Sequence, residues 1–179
     1  MAEHEWELLE QMGAHELAQA RHSGVSSSPC LLAETDPAYH GFTPLETLVE
    51  QLNMLLEAER AGALVCAKTL AQVGDEATRQ LLQQVREDEV RSCRGLLRSL
   101  REVQGTPSQA IGAFYERAMA IPDIRERLQL LERGQQWVAR RIGEWLPGVA
   151  NAAVFAQLKT MRDDHLRGIA LLQRYLAGE

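Results

Sequence analysis

Four residues of this chain join metal- or proton-handling side chains to a spacing that sets them at one level of a helical core: Glu59, Glu89, Gln135 and His165. Carboxylates and an imidazole are donors for a divalent cation and are also general acids and bases. Glu59 precedes Gly74 by 15 residues and Glu89 follows it by 15. In a helical hairpin turning at Gly74, both therefore lie about 22 Å from the turn, at ~1.5 Å per residue. Gln135 and His165 are likewise 30 residues apart and straddle Pro147-Gly148. The chain reads as two hairpins with polar groups at matching depth.

Helical phase adds a second, independent indication. At about 100° per residue, Leu52, Leu55, Leu56, Ala63, Cys66 and Leu70 form one apolar stripe whose centre is Glu59. On the next helix Leu82, Val85, Cys93, Leu96 and Leu100 centre on Glu89. The third stripe, from Ile124 through Leu128, Leu131, Ala139 and Ile142 to Leu146, centres on Gln135. The fourth, Val154, Leu158, Met161, Ile169, Leu172 and Leu176, centres on His165. A buried carboxylate must be paired, hydrogen-bonded or protonated, and two close together aggravate the cost. Leucine would pack there more cheaply, so the cluster is the candidate functional site.

The elements that must position these residues are helical almost throughout. Thr43-Pro44-Leu45-Glu46 predicts a helix start with Thr43 as cap, Pro44 at the first helical position and Glu46 completing a capping box. The first helix runs to about residue 72, and the second spans about 75–103, stopped by Gly105-Thr106-Pro107. A short helical stretch (AIGAFYERAMAI) lies within 108–122, a third long helix spans about 123–146, and a fourth spans about 151–176. No alternating apolar–polar run predicts a strand. The connections run short, long, short. The middle one, about 20 residues, is long enough to return along helices of roughly 36–44 Å. The fold class is all-α, with one long crossover between helices 2 and 3.

Over residues 44–176 this arrangement resembles the ferritin-like di-metal carboxylate proteins, and the strings LLEAERAG and ERGQQWV are similar to an uncharacterised bacterial branch of that superfamily. The family places a Glu on each of two helices and a Glu-x-x-His motif on each of the other two. Glu59 matches the first Glu. Glu89 matches the Glu of the second-helix motif, but Ser92 stands at its His. Gln135 stands at the third-helix Glu, with Glu132 one turn earlier. His165 matches the last His, while Arg162 replaces its Glu. Three of six ligand positions thus depart from the pattern.

The resemblance implies a reduced site in which Glu59, Glu89 and His165 bind one Fe, Mn or Zn ion, with Gln135 or Glu132 and water completing the sphere. Such a protein would be a mononuclear metal-dependent oxidoreductase. The alternative is a metal-free bundle serving structure or protein interaction, its core acids neutralised by the Arg162 guanidinium.

Composition bounds both readings. With 179 residues the chain buries roughly 70% of its unfolded surface and needs no metal or disulfide to fold. Nineteen basic against 25 acidic residues, a net charge of -6, argue against duplex nucleic acid as a partner. No run approaches the roughly 18 apolar residues of a membrane span. The acidic N-terminus has no apolar signal core, which predicts a cytoplasmic location.

Cys30, Cys66 and Cys93 show no CxxC spacing and read as reduced, with Cys66 and Cys93 as small core residues. Residues 1–43 read as a separate N-terminal unit, a helix over 4–21 and an extended Ser-rich arm, and 44–179 as the bundle. The arm has no place in the bundle and would suit a homodimer contact. His4, His15 and His22 on it read as solvated. Phe114, Tyr115, Trp137 and Trp145 read as packing aromatics that could also line a pocket. No Gly-rich phosphate loop and no GxSxG nucleophile elbow occurs.

Overall fold

The computed structural model describes residues 41–178. The chain forms α1 (Leu45–Leu70), α2 (Glu76–Glu102), the short α3 (Phe114–Met119), α4 (Ile124–Trp145), a single 3-10 turn (Leu146–Gly148) and α5 (Ala152–Ala177). The described residues include no strand. The expected N-terminal helix, the arm and any dimer contact through it fall on residues outside the described ones, as do Cys30 and the three histidines of that segment.

Three of the four long helices start on a side-chain cap. Asp75 accepts from the Thr78 amide, Asp123 from that of Glu126, and Asn151 from those of Ala153 and Val154. The first helix departs from expectation: Pro44 is its N-cap and makes no side-chain cap bond. Thr43 instead gives its amide to the Gly148 carbonyl at 2.8 Å, tying the start of α1 to the end of α4. The tertiary bond takes precedence over the local box.

Ties of this kind fix the topology. At the other end of the bundle the Arg127 guanidinium, near the start of α4, reaches Thr69 and Gln72 at the end of α1. Thr78 meets Tyr175, and Arg98 donates to Gln157, so α2 and α5 are also antiparallel. The 103–123 connection returns alongside α1. Asn53 bonds Thr106 and Ser108, Glu57 accepts from Ser108, and Arg60 donates to the Ser108 and Ala110 carbonyls. Its last part, α3, packs on both α1 and α4. The result is the four-helix bundle with one long crossover that the short–long–short spacing predicts.

The core is divided in two. One apolar cluster joins Leu52 and Leu56 of α1, Leu96 and Leu100 of α2, Ile142 of α4, and Leu158 and Met161 of α5. The other joins Cys66, Leu82, Val85, Leu128, Leu131 and Leu172. Between them every long helix contributes a buried polar residue, Glu59, Glu89, Gln135 and His165, with Ser92 also buried one turn after Glu89.

Candidate metal centre

The polar layer converges. Glu59, Glu89 and His165 each offer a donor atom within 4.8 Å of the other two, and all three are buried. His165 Nε2 lies 3.1 Å from Glu59 Oε1, and its Nδ1 lies 2.9 Å from the Met161 carbonyl, one turn earlier on α5. A carbonyl only accepts, so Nδ1 carries the hydrogen and donates. In the neutral ring this leaves the Nε2 lone pair facing a carboxylate, a contact that requires a proton or a cation between them.

Glu89 enters from α2 and takes a hydrogen bond from the Gln135 amide on α4. Its carboxylate fills the space beside Gly62, one turn after Glu59 on α1. A β-carbon at residue 62 would stand 2.5 Å from Glu89 Oε1 and 2.6 Å from Cδ. The glycine is what admits the second acid to the layer.

The electrostatics show a site short of positive charge. Burial first, then the adjacent Glu59 carboxylate, pushes the Glu89 carboxyl well up, so that it holds a proton in preference to a charge. Burial alone would lower His165, but the Glu59 carboxylate, the Met161 carbonyl and Asp164 together outweigh it and the imidazole is raised. With both acids ionised, Glu59 Oε2 is buried without a hydrogen-bond donor. Burial pushes the Cys66 thiol well up, with Glu89 adding to it, and Cys93 up to about 12, with Glu59 and Glu89 adding. These thiols are un-ionised and inert, as expected of small core cysteines.

Two residues expected at or near the site are elsewhere. Glu132 is not in the cluster: its carboxylate accepts from Gln136 at 2.6 Å and from Gln173 at 2.7 Å. Arg162 does not neutralise the acids either. Its Nε lies 3.2 Å from where a β-carbon on Gly143 would be, and the base paired with Glu59 is His165. One physical reason covers both. Helical side chains lean toward the N-terminus of their own helix, so groups one turn before Gln135 and His165 lean away from the layer. Gln135 does reach the centre, but as the donor that orients Glu89 rather than as an oxygen ligand. Its oxygen against the Glu89 carboxylate would set two acceptors together.

Sequence reasoning missed two features. The first is Gly62, whose role is visible only once α2 is docked on α1. The second is a cavity of about 470 Å³ with Glu59, Glu89 and Gln135 on its wall. It is a half-open cleft walled by α1, α3 and α4, and Phe114 and Trp137 do line it. Arg140 and Arg141 pair with Glu144 on the α4 surface, and Arg141 also lies 5.7 Å over the Trp137 ring.

A bundle of this topology, four long helices with one long crossover, has a ferritin-like fold. Residues 46–174 match the family described as a domain of unknown function, DUF6306, and the chain belongs to that family. A crystal structure of ferritin-like, diiron-carboxylate proteins from Bacillus anthracis strain Ames shares the fold with a TM-score of 0.65. That similarity is at 20% identity and covers 74% of this chain and 96% of the other. None of the curated proteins matches the chain. Among the described residues no helix is long and apolar enough to cross a membrane.

Proposed function

We propose that this ferritin-like protein holds a single divalent ion between Glu59, Glu89 and His165 and uses it as a mononuclear oxidoreductase centre. The observation that carries the reading is the His165–Glu59 contact, in which Nε2 faces a carboxylate oxygen at 3.1 Å, a spacing that a cation between them would satisfy. Two donors each about 2.1 Å from one ion and at right angles to it stand about 3 Å apart, so this spacing suits a shared cation. The orphaned Glu59 Oε2 and the cradle beside Gly62 fit the same group. Two carboxylates and one imidazole favour iron or manganese, with zinc the redox-inert competitor.

When bound, the ion would supply Lewis acidity and, as iron or manganese, one-electron exchange. The chain supplies the rest. Gln135 holds the Glu89 carboxylate in place, and the Met161 carbonyl fixes the ring orientation and tautomer of His165. The two apolar clusters keep water from the layer above and below, which strengthens every charge interaction within it. The cavity gives a small molecule a way to the acids.

A second reading is a metal-free bundle serving structure or protein interaction. It is favoured by the Gln135 and His165 contacts, which satisfy one oxygen of each acid without an ion. Elemental analysis of protein purified without chelator separates the two. The expected result is about one transition-metal ion per chain, falling to background in His165→Ala and Glu89→Gln. Sub-stoichiometric metal unchanged by both substitutions ends the metal reading.

A further inference from the structure

We propose that the cavity beside the polar layer binds an amphipathic organic carboxylate, its apolar body against the cavity wall and its anionic head held at the mouth by Arg117 and Arg133. At about 470 Å³ the cavity falls in the range of small-molecule sites, ~300–1,000 Å³. Its wall is mostly apolar, with Phe114 from α3, Leu131 and Trp137 from α4, and Met54 from α1. Two glycines build that wall. Gly134 has the Phe114 ring where its side chain would be, at 3.1 Å from a would-be β-carbon, and Gly112 lets the crossover approach the Glu57 carbonyl.

Charge then sets the direction in which a ligand lies. The deep end carries the buried Glu59 and Glu89, which offer an anionic head no cation, while Arg117 is exposed and Arg133 half-buried. Among the described residues neither arginine is in an ion pair, whereas Arg79, Arg91, Arg140 and Arg141 each have an acidic partner. Glu57, the other acid of the lining, accepts a hydrogen bond from Ser108. A monocarboxylate with a chain or ring of some six to ten carbons matches this order of groups, head outward and apolar body inward. A dicarboxylate or sugar phosphate does not, because its second polar end would meet the acids or the aromatic wall.

The proposal concerns binding alone and is tested on metal-free protein, so it stands or fails apart from the metal reading. The probes are decanoate, below its micellar concentration, and 1-decanol, titrated calorimetrically into the full chain and into an Arg117→Glu/Arg133→Glu double variant. Both positions are at the surface, and thermal unfolding of the variant checks that the fold is kept. The expected result is one saturable decanoate site per chain, weakened at least about tenfold by charge reversal, with decanol unaffected. A conservative Arg117→Lys/Arg133→Lys variant should recover most of the affinity. Absence of saturable decanoate binding, equal affinity in the charge-reversed variant, or equal weakening of decanol would each overturn the proposal.

Discussion

The carboxylate of Glu89 occupies the space that a side chain on residue 62 would need: a β-carbon on Gly62 would stand 2.5 Å from Oε1. Gly62 therefore sets where α2 can deliver its acid to Glu59 of α1, although its own chemistry is nil. Glycine in mid-helix costs about 1 kcal/mol relative to alanine, and the site gives that cost a purpose.

This relationship makes Gly62→Ala a test of the site that alters none of the donor residues. The added methyl displaces the Glu89 carboxylate, so bound metal should fall to background. Stability should change by no more than about 1 kcal/mol, since improved helix propensity offsets the crowding. Metal analysis and chemical denaturation on the same samples check both halves. Retention of full metal would mean that Glu89 is not a ligand.

Glu89→Gln should separate stability from metal binding. The amide keeps the shape, can still accept from Gln135, and removes one of two adjacent buried acids. Metal-free Glu89→Gln should be more stable than the metal-free wild type at pH 7 by about 1–3 kcal/mol, the range for relieving a mismatched buried polar group. The metal-loaded wild type should exceed both.

The pH profile of the metal-free protein follows from the same shifts. Glu89 is raised, so above about pH 4 the folded chain keeps a proton that the unfolded chain has lost. Stability from this group therefore falls as pH rises toward its raised value. His165 is also raised, so its contribution is present below its ordinary range and is lost as pH rises through the raised value. Both act in one direction, and metal-free protein should weaken from pH 5 toward pH 8. Denaturation midpoints across that range should show a smaller slope in Glu89→Gln than in the wild type.

Arg127 is a structural counterpart to the site. Its guanidinium is buried and bonds only neutral acceptors: the Ile121 carbonyl at 2.6 Å, Gln72 at 2.7 Å and Thr69 at 3.1 Å. It joins the end of the crossover, the end of α1 and the start of α4. Arg127→Ala should cost about 2–4 kcal/mol, seen as a fall of roughly 5–15 °C in the unfolding temperature. Metal content of the folded protein should be unchanged, because the residue lies two turns from Gln135.

Gln104 offers the opposite sign. It ends α2 in the left-handed region at φ 55, while Gly105 donates back to Leu100 and Gln104 to Arg101. These two bonds form a glycine-type helix stop with glutamine in the strained place. Gln104→Gly should stabilise the protein by about 1 kcal/mol, measurable by denaturant titration, with the site untouched.

Much of this was legible along the chain because helices are local. Hydrogen bonds four residues apart and a 3.6-residue period let the stripes around Glu59, Glu89, Gln135 and His165 be read without knowing what they face. Equal spacing from the Gly74 and Pro147-Gly148 turns placed the four at one depth, and connection lengths selected the single crossover. The lean of each side chain was beyond that reading. Glu132 and Arg162 lie on nearly the right face but tilt out of the layer, toward Gln173 and Gly143. Thr43 was a sound local cap until Gly148, more than a hundred residues on, offered its carbonyl.

The sequence by itself determined an all-α bundle with polar residues at its four core centres, because burial pattern and turn position are properties of neighbouring residues. Only the tertiary structure decided that three of the four bring donor atoms within 4.8 Å of one another and that Gln135 donates to Glu89. It alone showed Gly62 making room for Glu89 and α3 forming one wall of a cleft beside the acids. Those outcomes depend on distances between helices, which are set by which side chains fail to fill the space between them, and no single helix carries that information.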